Sequence, residues 1–185
     1  MNETVLILIA VVAILAIGGW LLLQQRRSKH LRSHFGPEYD HQVEDKGSRS
    51  KAEAELTGRE KRVKKLDIRP LEPTVRDGFK HRWTEVQARF VDAPPDAVSE
   101  ADDLLGEVMR TRGYPVGDFE QSAGDISVDH PEVVKHYRAG HDITVRHERG
   151  EASTEELRQA MIHYRALFDK LVDEERADRD ETRQA

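Results

Sequence analysis

The chain holds no cysteine in its 185 residues. That excludes a disulfide scaffold, a Cys-ligated zinc site, a thiol nucleophile and a lipoprotein anchor. Aromatic residues make up only 6%. No phosphate-cradling GxGxxG or Walker loop appears, nor an HExxH zinc motif or a GxSxG nucleophile elbow. Period-two alternation and β-branched runs are also missing, so nothing reads as a strand and the fold class is all-α. Basic charge is not in excess overall: 29 Lys/Arg face 35 Asp/Glu, a formal charge of −6. That argues against nucleic acid as a partner.

What is present is unevenly placed. Val5 to Leu23 reads VLILIAVVAILAIGGWLLL, 19 residues without a charge. That length crosses a hydrocarbon core of roughly 30 Å as a helix. A cleaved signal peptide would have basic residues before the run and small residues at a cut site after it. Here Asn2 and Glu3 precede it, and Trp20 to Leu23 close it. The sequence therefore predicts a retained transmembrane anchor over residues 1–23. Arg26, Arg27, Lys29 and Arg32 follow at once, which places the C-terminal side in the cytoplasm by the positive-inside rule. These four are the predicted membrane-surface residues, each worth roughly 1 kcal/mol over anionic headgroups. Gly18 and Gly19 are adjacent and form no GxxxG pair, so the span carries no dimerisation motif and the oligomeric state stays open.

Residues 24–73 read as a basic juxtamembrane stalk and linker. Residues 24–69 hold thirteen Lys/Arg against eight Asp/Glu, whereas residues 70–185 hold sixteen against twenty-six. A basic stalk thus carries an acidic distal part, suited to a domain held near an anionic surface. Gly36-Pro37 and Gly47-Ser48 break the stalk into helical pieces. Ser50 to Leu66 reads as a solvated, charged helix, because its seam of Ala52, Leu56, Val63 and Leu66 is interrupted by Arg59. Prolines 70 and 73 make the following segment extended.

Residues 74–172 read as a small four-helix bundle-like domain. Val75, Phe79, Trp83, Val86 and Phe90 fall within a stripe of about 80° on the first helix. The second opens at Pro94-Pro95, buries Leu104, Leu105, Val108 and Met109, and ends at Gly113. Asp118 to Val128 is ambiguous between a helical turn and a packed loop. Asp129 is the expected cap of a third helix with Pro131 in its first turn. Ser153-Thr154-Glu155-Glu156 is a capping-box pattern that opens a fourth. Residues 173–185 lack any apolar side chain larger than alanine and read as a disordered acidic tail.

The third and fourth helices share a short motif. His136-Tyr137-Arg138-Ala139 recurs as His163-Tyr164-Arg165-Ala166. Other marks are Trp83 to Asp92 (WTEVQARFVD), Arg112 to Pro115 (RGYP), Ser127 to Pro131 (SVDHP), Thr154 to Arg158 (TEELR) and His163 to Phe168 (HYRALF). On these the chain resembles a family of uncharacterised bacterial proteins with one N-terminal membrane or export segment and a small helical domain. The resemblance implies a bacterial source and no activity. Some relatives are labelled secreted, which makes an extracytoplasmic domain the alternative placement.

Nine histidines invite a chemical reading. His136, His141 and His163 are the candidates. The spacing of His136 and His141, five residues, does not bring two ligands onto one helical face as i, i+4 would. His141 falls on the apolar face between Tyr137 and Thr144, where a core histidine bonded to a neighbour is the simpler explanation. No catalytic residue, cofactor or metal is expected, and the chain does not read as an enzyme. The functional expectation is a membrane-tethered helical interaction or assembly domain at the bacterial inner membrane, with the lipid bilayer and an unidentified protein as partners. The alternative is a small-ligand or metal-binding sensor built on the distal histidines.

Overall fold

The computed structural model describes the backbone of residues 3–173 and the side chains of residues 11–19 and 21–173. Among these residues every regular element is helical: α1 (Glu3–Phe35), α2 (Pro37–Lys46), α3 (Arg49–Val63), α4 (Pro73–Arg89), α5 (Pro94–Arg112), α6 (Phe119–Asp129), α7 (Pro131–Glu148) and α8 (Thr154–Asp173). The chain divides into two compact units within α3, between Thr57 and Gly58.

In the first unit, Gly36 ends α1 at a positive φ of 50°, and Pro37 starts α2 in the next residue. Gly47 closes α2 as a left-handed cap at φ 58°, its N–H donating to the Glu44 carbonyl. Both breaks sit where the sequence predicts them. The predicted anchor falls partly outside the described side chains, which omit residues 1–10 and Trp20. Among the described residues no helix is long and apolar enough to cross a membrane. The described part of α1 nevertheless exposes Val11, Val12, Ile14, Leu15, Ile17, Leu21, Leu22 and Leu23.

The helix read as a solvated one hides a face. Ala52, Glu53, Leu56, Arg59 and Val63 of α3 are all buried. Arg59 does not break the seam, because Gly124 makes room for it. A Cβ at Gly124 would stand 3.0 Å from the Arg59 Nε. One turn on, Arg62 donates to the fully buried Asp125 Oδ1 at 2.7 Å from Nε. The last turns of α3 are thus bound to α6 within the second unit.

The second unit has a single apolar core drawn from α4, α5, α6, α7 and α8. Residues 73–173 therefore form five helices, not the four expected. The extra one, α6, opens on Asp118, whose carboxylate accepts from the Gln121 backbone N–H at 2.9 Å. Its buried face is built from Ser122, Ala123, Gly124, Asp125 and Ser127 around Ile126 and Val128. Those small and polar residues leave no apolar stripe to read. On α4, Phe79, Trp83 and Val86 are buried as predicted, but Val75 is exposed. The helix starts at Pro73 after Glu72, which makes no side-chain cap bond. Asp129 closes α6, and His130 is the cap of α7. At α8 the capping box forms as read: Ser153 N–H donates to Glu156 Oε2 at 2.8 Å, and Glu156 N–H to Ser153 Oγ at 3.3 Å. Hydrogen bonds from Ser153 and Arg146 hold the Glu156 carboxyl down at about 2. The predicted tail lies outside the described residues, except Asp173, which is the last residue of α8.

Candidate functional site: the α7–α8 hairpin

Helices α7 and α8 pack antiparallel about the short loop at Gly150. Glu132 near the start of α7 pairs with Lys170 near the end of α8 at 3.0 Å. At the other end Arg146 pairs with Glu156 at 2.5 Å. The two copies of the His-Tyr-Arg-Ala motif therefore lie across from each other, and their side chains divide by chemistry.

The histidines meet at the half-buried edge. His136 Nδ1 and His163 Nδ1 are 3.0 Å apart. Only one ring can donate through such a contact, so the other must present a lone pair. Two imidazolium rings would set N–H against N–H. Burial, and then His136, push the His163 pKa down. The arginines differ: Arg165, half exposed, pairs with Asp169 at 3.2 Å, whereas Arg138, only 15% exposed, pairs with Glu120 at 2.5 Å.

The tyrosines turn inward. The Tyr164 ring lies so close to α7 that a Cβ on Gly140 would be 2.7 Å from its Cε1. Its hydroxyl is 2.9 Å from Thr144 Oγ1, which also lies 3.1 Å from the Gly140 carbonyl. Asp102 of α5 completes this group. Burial raises its pKa, against the lowering influence of the Tyr164 hydrogen bond and His141. Burial and the Asp102 charge raise the phenol of Tyr137. Phe119 stacks on His141 at 3.6 Å between centroids and tilts against Tyr137 at 4.8 Å. Among the described residues, Asp102 Oδ1 and His141 Nδ1 meet no hydrogen-bond partner. The structure thus brings His136 and His163 together and sends His141 to a separate aromatic and acidic cluster. Among the described residues, no group of three or more His, Asp or Glu could hold a metal.

Other marked motifs meet in pairs as well. Trp83 stacks on Phe168 at 4.5 Å. Tyr114 of the RGYP segment donates to Asp129 Oδ2 of SVDHP at 2.6 Å. That bond explains why Asp129 does not cap α7. Beside it, Arg112 donates to the carbonyl of Leu171 at 3.0 Å. Burial and the Arg112 charge hold the buried His130 down to about 4.

No protein-family profile, curated protein or solved structure matches this chain.

The predicted membrane-surface quartet is split by the first unit. Arg26 and Lys29 are exposed. Arg27 donates to Thr57 Oγ1 at 2.7 Å and Arg32 to Asp40 at 3.2 Å, so both also help fold the stalk. The sequence reading missed a further node there. Glu53, only 5% exposed, accepts from Ser28 at 2.6 Å, Tyr39 at 2.8 Å and Arg49 at 2.9 Å. Burial favours its neutral form, but these donors outweigh it and hold the pKa below the usual carboxylate value. The Arg49–Glu53 spacing of i, i+4 was visible in the sequence. The contacts from Ser28 and Tyr39, on two other helices, were not.

Proposed function

We propose that the protein is a bacterial single-pass membrane tether. On this reading α1 lies in the inner membrane, and the second unit is displayed to the cytoplasm as a protein-interaction or assembly domain. The observation that carries the first half is the bare aliphatic surface of α1. Side chains on successive positions all round the helix are exposed: Val11, Val12, Ile14, Leu15 and Ile17, then Leu21, Leu22 and Leu23. Water penalises such a surface at about 25 cal/mol per Å²; hydrocarbon does not. The 19-residue uncharged run and the cations that follow it support the same placement. The resemblance to uncharacterised bacterial proteins with an N-terminal membrane or export segment agrees with it.

The interaction half is supported by a shallow cavity of about 200 Å³ on the second unit. Gln87, Phe90, Met161 and Ile162 line it, flanked by Arg158 and Arg165. Ile162 is 48% exposed. The fitting occupant is a partner segment with one large apolar side chain between carboxylates. A photocrosslinker at residue 162 of the full chain should capture one partner in native membranes. Arg158→Glu with Arg165→Glu should abolish that adduct. Its persistence would reject this surface. For orientation, a C-terminal alkaline phosphatase fusion should be inactive; strong activity would reverse the topology.

A second reading is favoured by one observation, the 3.0 Å approach of two histidine nitrogens. A pair so close can chelate a transition metal or grip a small ligand, with His141 in a separate cluster. Stoichiometric metal in the purified chain, lost in His136→Ala, would promote this sensor reading over the tether.

A further inference from the structure

The first unit contains a cavity of about 450 Å³, within the range of small-ligand sites. It is lined by Leu23, Gln24 and Arg27 of α1 and by Ser50, Glu53 and Ala54 of α3. The lining is ordered by chemistry. Leu23 is the last residue of the uncharged run, Arg27 lies one turn beyond it, and Glu53 stands opposite on α3. Glu53 is a buried carboxylate, and its three hydrogen bonds from Ser28, Tyr39 and Arg49 all fall on Oε1. Its other oxygen takes none of them. Arg27 spends one nitrogen, Nη2, on Thr57 and the Glu53 carbonyl. The cavity thus offers an aliphatic wall, a guanidinium and a carboxylate acceptor, in that order away from the hydrophobic run.

We propose that this cavity seats the headgroup of a phospholipid bearing a primary amine. The phosphate lies against Arg27, the ammonium donates to Glu53, and the glycerol end follows Leu23 toward the bilayer. This inference rests on the reading of α1 as a membrane anchor, because only then does Leu23 stand at the depth of the headgroups. A charge-assisted N–H···O bond requires a donor hydrogen. Phosphatidylethanolamine has three on its nitrogen. Phosphatidylcholine has the same charges and none. The second lipid is therefore the decisive control, since attraction by Arg26, Arg27, Lys29 and Arg32 alone would favour neither.

The test uses the full chain in nanodiscs made from equal parts phosphatidylethanolamine, phosphatidylcholine and phosphatidylglycerol. Lipids retained after release are weighed by native mass spectrometry. The wild type should keep phosphatidylethanolamine over phosphatidylcholine by about tenfold, the factor expected of one charge-assisted bond. Glu53→Gln should bring the ratio near one. Ala54→Phe should do the same from the exposed rim of the cavity, by filling it without touching the Glu53 node. Equal retention of the two lipids by wild type would overturn the proposal. So would a preference that survives Ala54→Phe in a chain of unchanged helicity, or a preference for phosphatidylglycerol over both. Flotation with vesicles separates the two levels of failure. A chain that does not float rejects the membrane reading and this site with it. A chain that floats but shows no amine preference rejects the site alone.

Discussion

The two units of this chain treat apolar side chains in opposite ways. In the second, Trp83, Leu104, Leu105, Met109, Ile126, Tyr164 and Phe168 are almost wholly withdrawn from solvent in one core. In the first, the described aliphatic side chains from Val11 to Leu23 lie exposed, and a well-organised node is polar: a carboxylate with three donors from α1, α2 and α3. A water-soluble fold is completed by its own burial. The second unit has such a core, whereas the described part of α1 leaves its aliphatic side chains exposed. On the proposed reading, lipid covers the exposed band of the first unit, and the second is completed by its own core.

The largest expected effect separates them directly. Trp83→Ala removes a ring stacked on Phe168 and should cost the second unit about 3–5 kcal/mol, a large part of a small domain's stability. Leu15→Ala, in the exposed band, should leave the same calorimetric transition in place. A Trp83→Ala chain that melts within a degree or two of wild type would remove the core from the account.

Next comes acid. His130 is buried with its pKa down at about 4, from an ordinary 6.5, by desolvation and the Arg112 charge. Between those values the unfolded chain binds a proton that the folded chain does not. Stability must therefore rise with pH through that window and fall as pH drops through it, by up to about 3 kcal/mol. Asp102 works the other way, since a raised carboxyl pKa favours the folded state as pH falls. The His130 contribution is isolated by its own NMR signal, which should show a neutral imidazole at pH 5. A signal that titrates near 6.5 would mean the ring is not shielded as described.

Gly140→Ala should cost about 1–3 kcal/mol, because the new methyl meets the Tyr164 ring rather than a flexible chain end. Neutral behaviour in thermal melts would show that α7 and α8 are less closely joined. Smallest of all, Tyr137→Phe and Tyr164→Phe should each cost no more than about 1 kcal/mol, since the ring carries the burial. Should a stably folded Tyr→Phe chain fail to complement a deletion strain, the hydroxyls would be functional and the hairpin more than a joint.

How much of this could be read in advance follows from how local each signal is. Proline and glycine punctuation fixed the ends of α2, α5 and α7 because φ at those residues is a local property. The Ser153–Glu156 box is equally local. Helix α6 escaped because most of its buried residues are serine, alanine, glycine and aspartate, and the partners of Gly124 and Asp125, Arg59 and Arg62, lie some sixty residues earlier. Asp129 looked like a cap because its bond to Tyr114 lies 15 residues away. The approach of His136 to His163 was hidden for the same reason. Within one helix neither has a partner at a useful spacing, and only the antiparallel return of α8 sets them face to face.

The central claim is that the exposed aliphatic band of α1 lies in lipid. Alkaline carbonate extraction of membranes from cells expressing the full chain tests it most directly. The protein should remain in the membrane pellet, as an integral protein does, and Leu15→Lys with Ile17→Lys should release it to the supernatant. Full extraction of the wild type by carbonate would contradict the account.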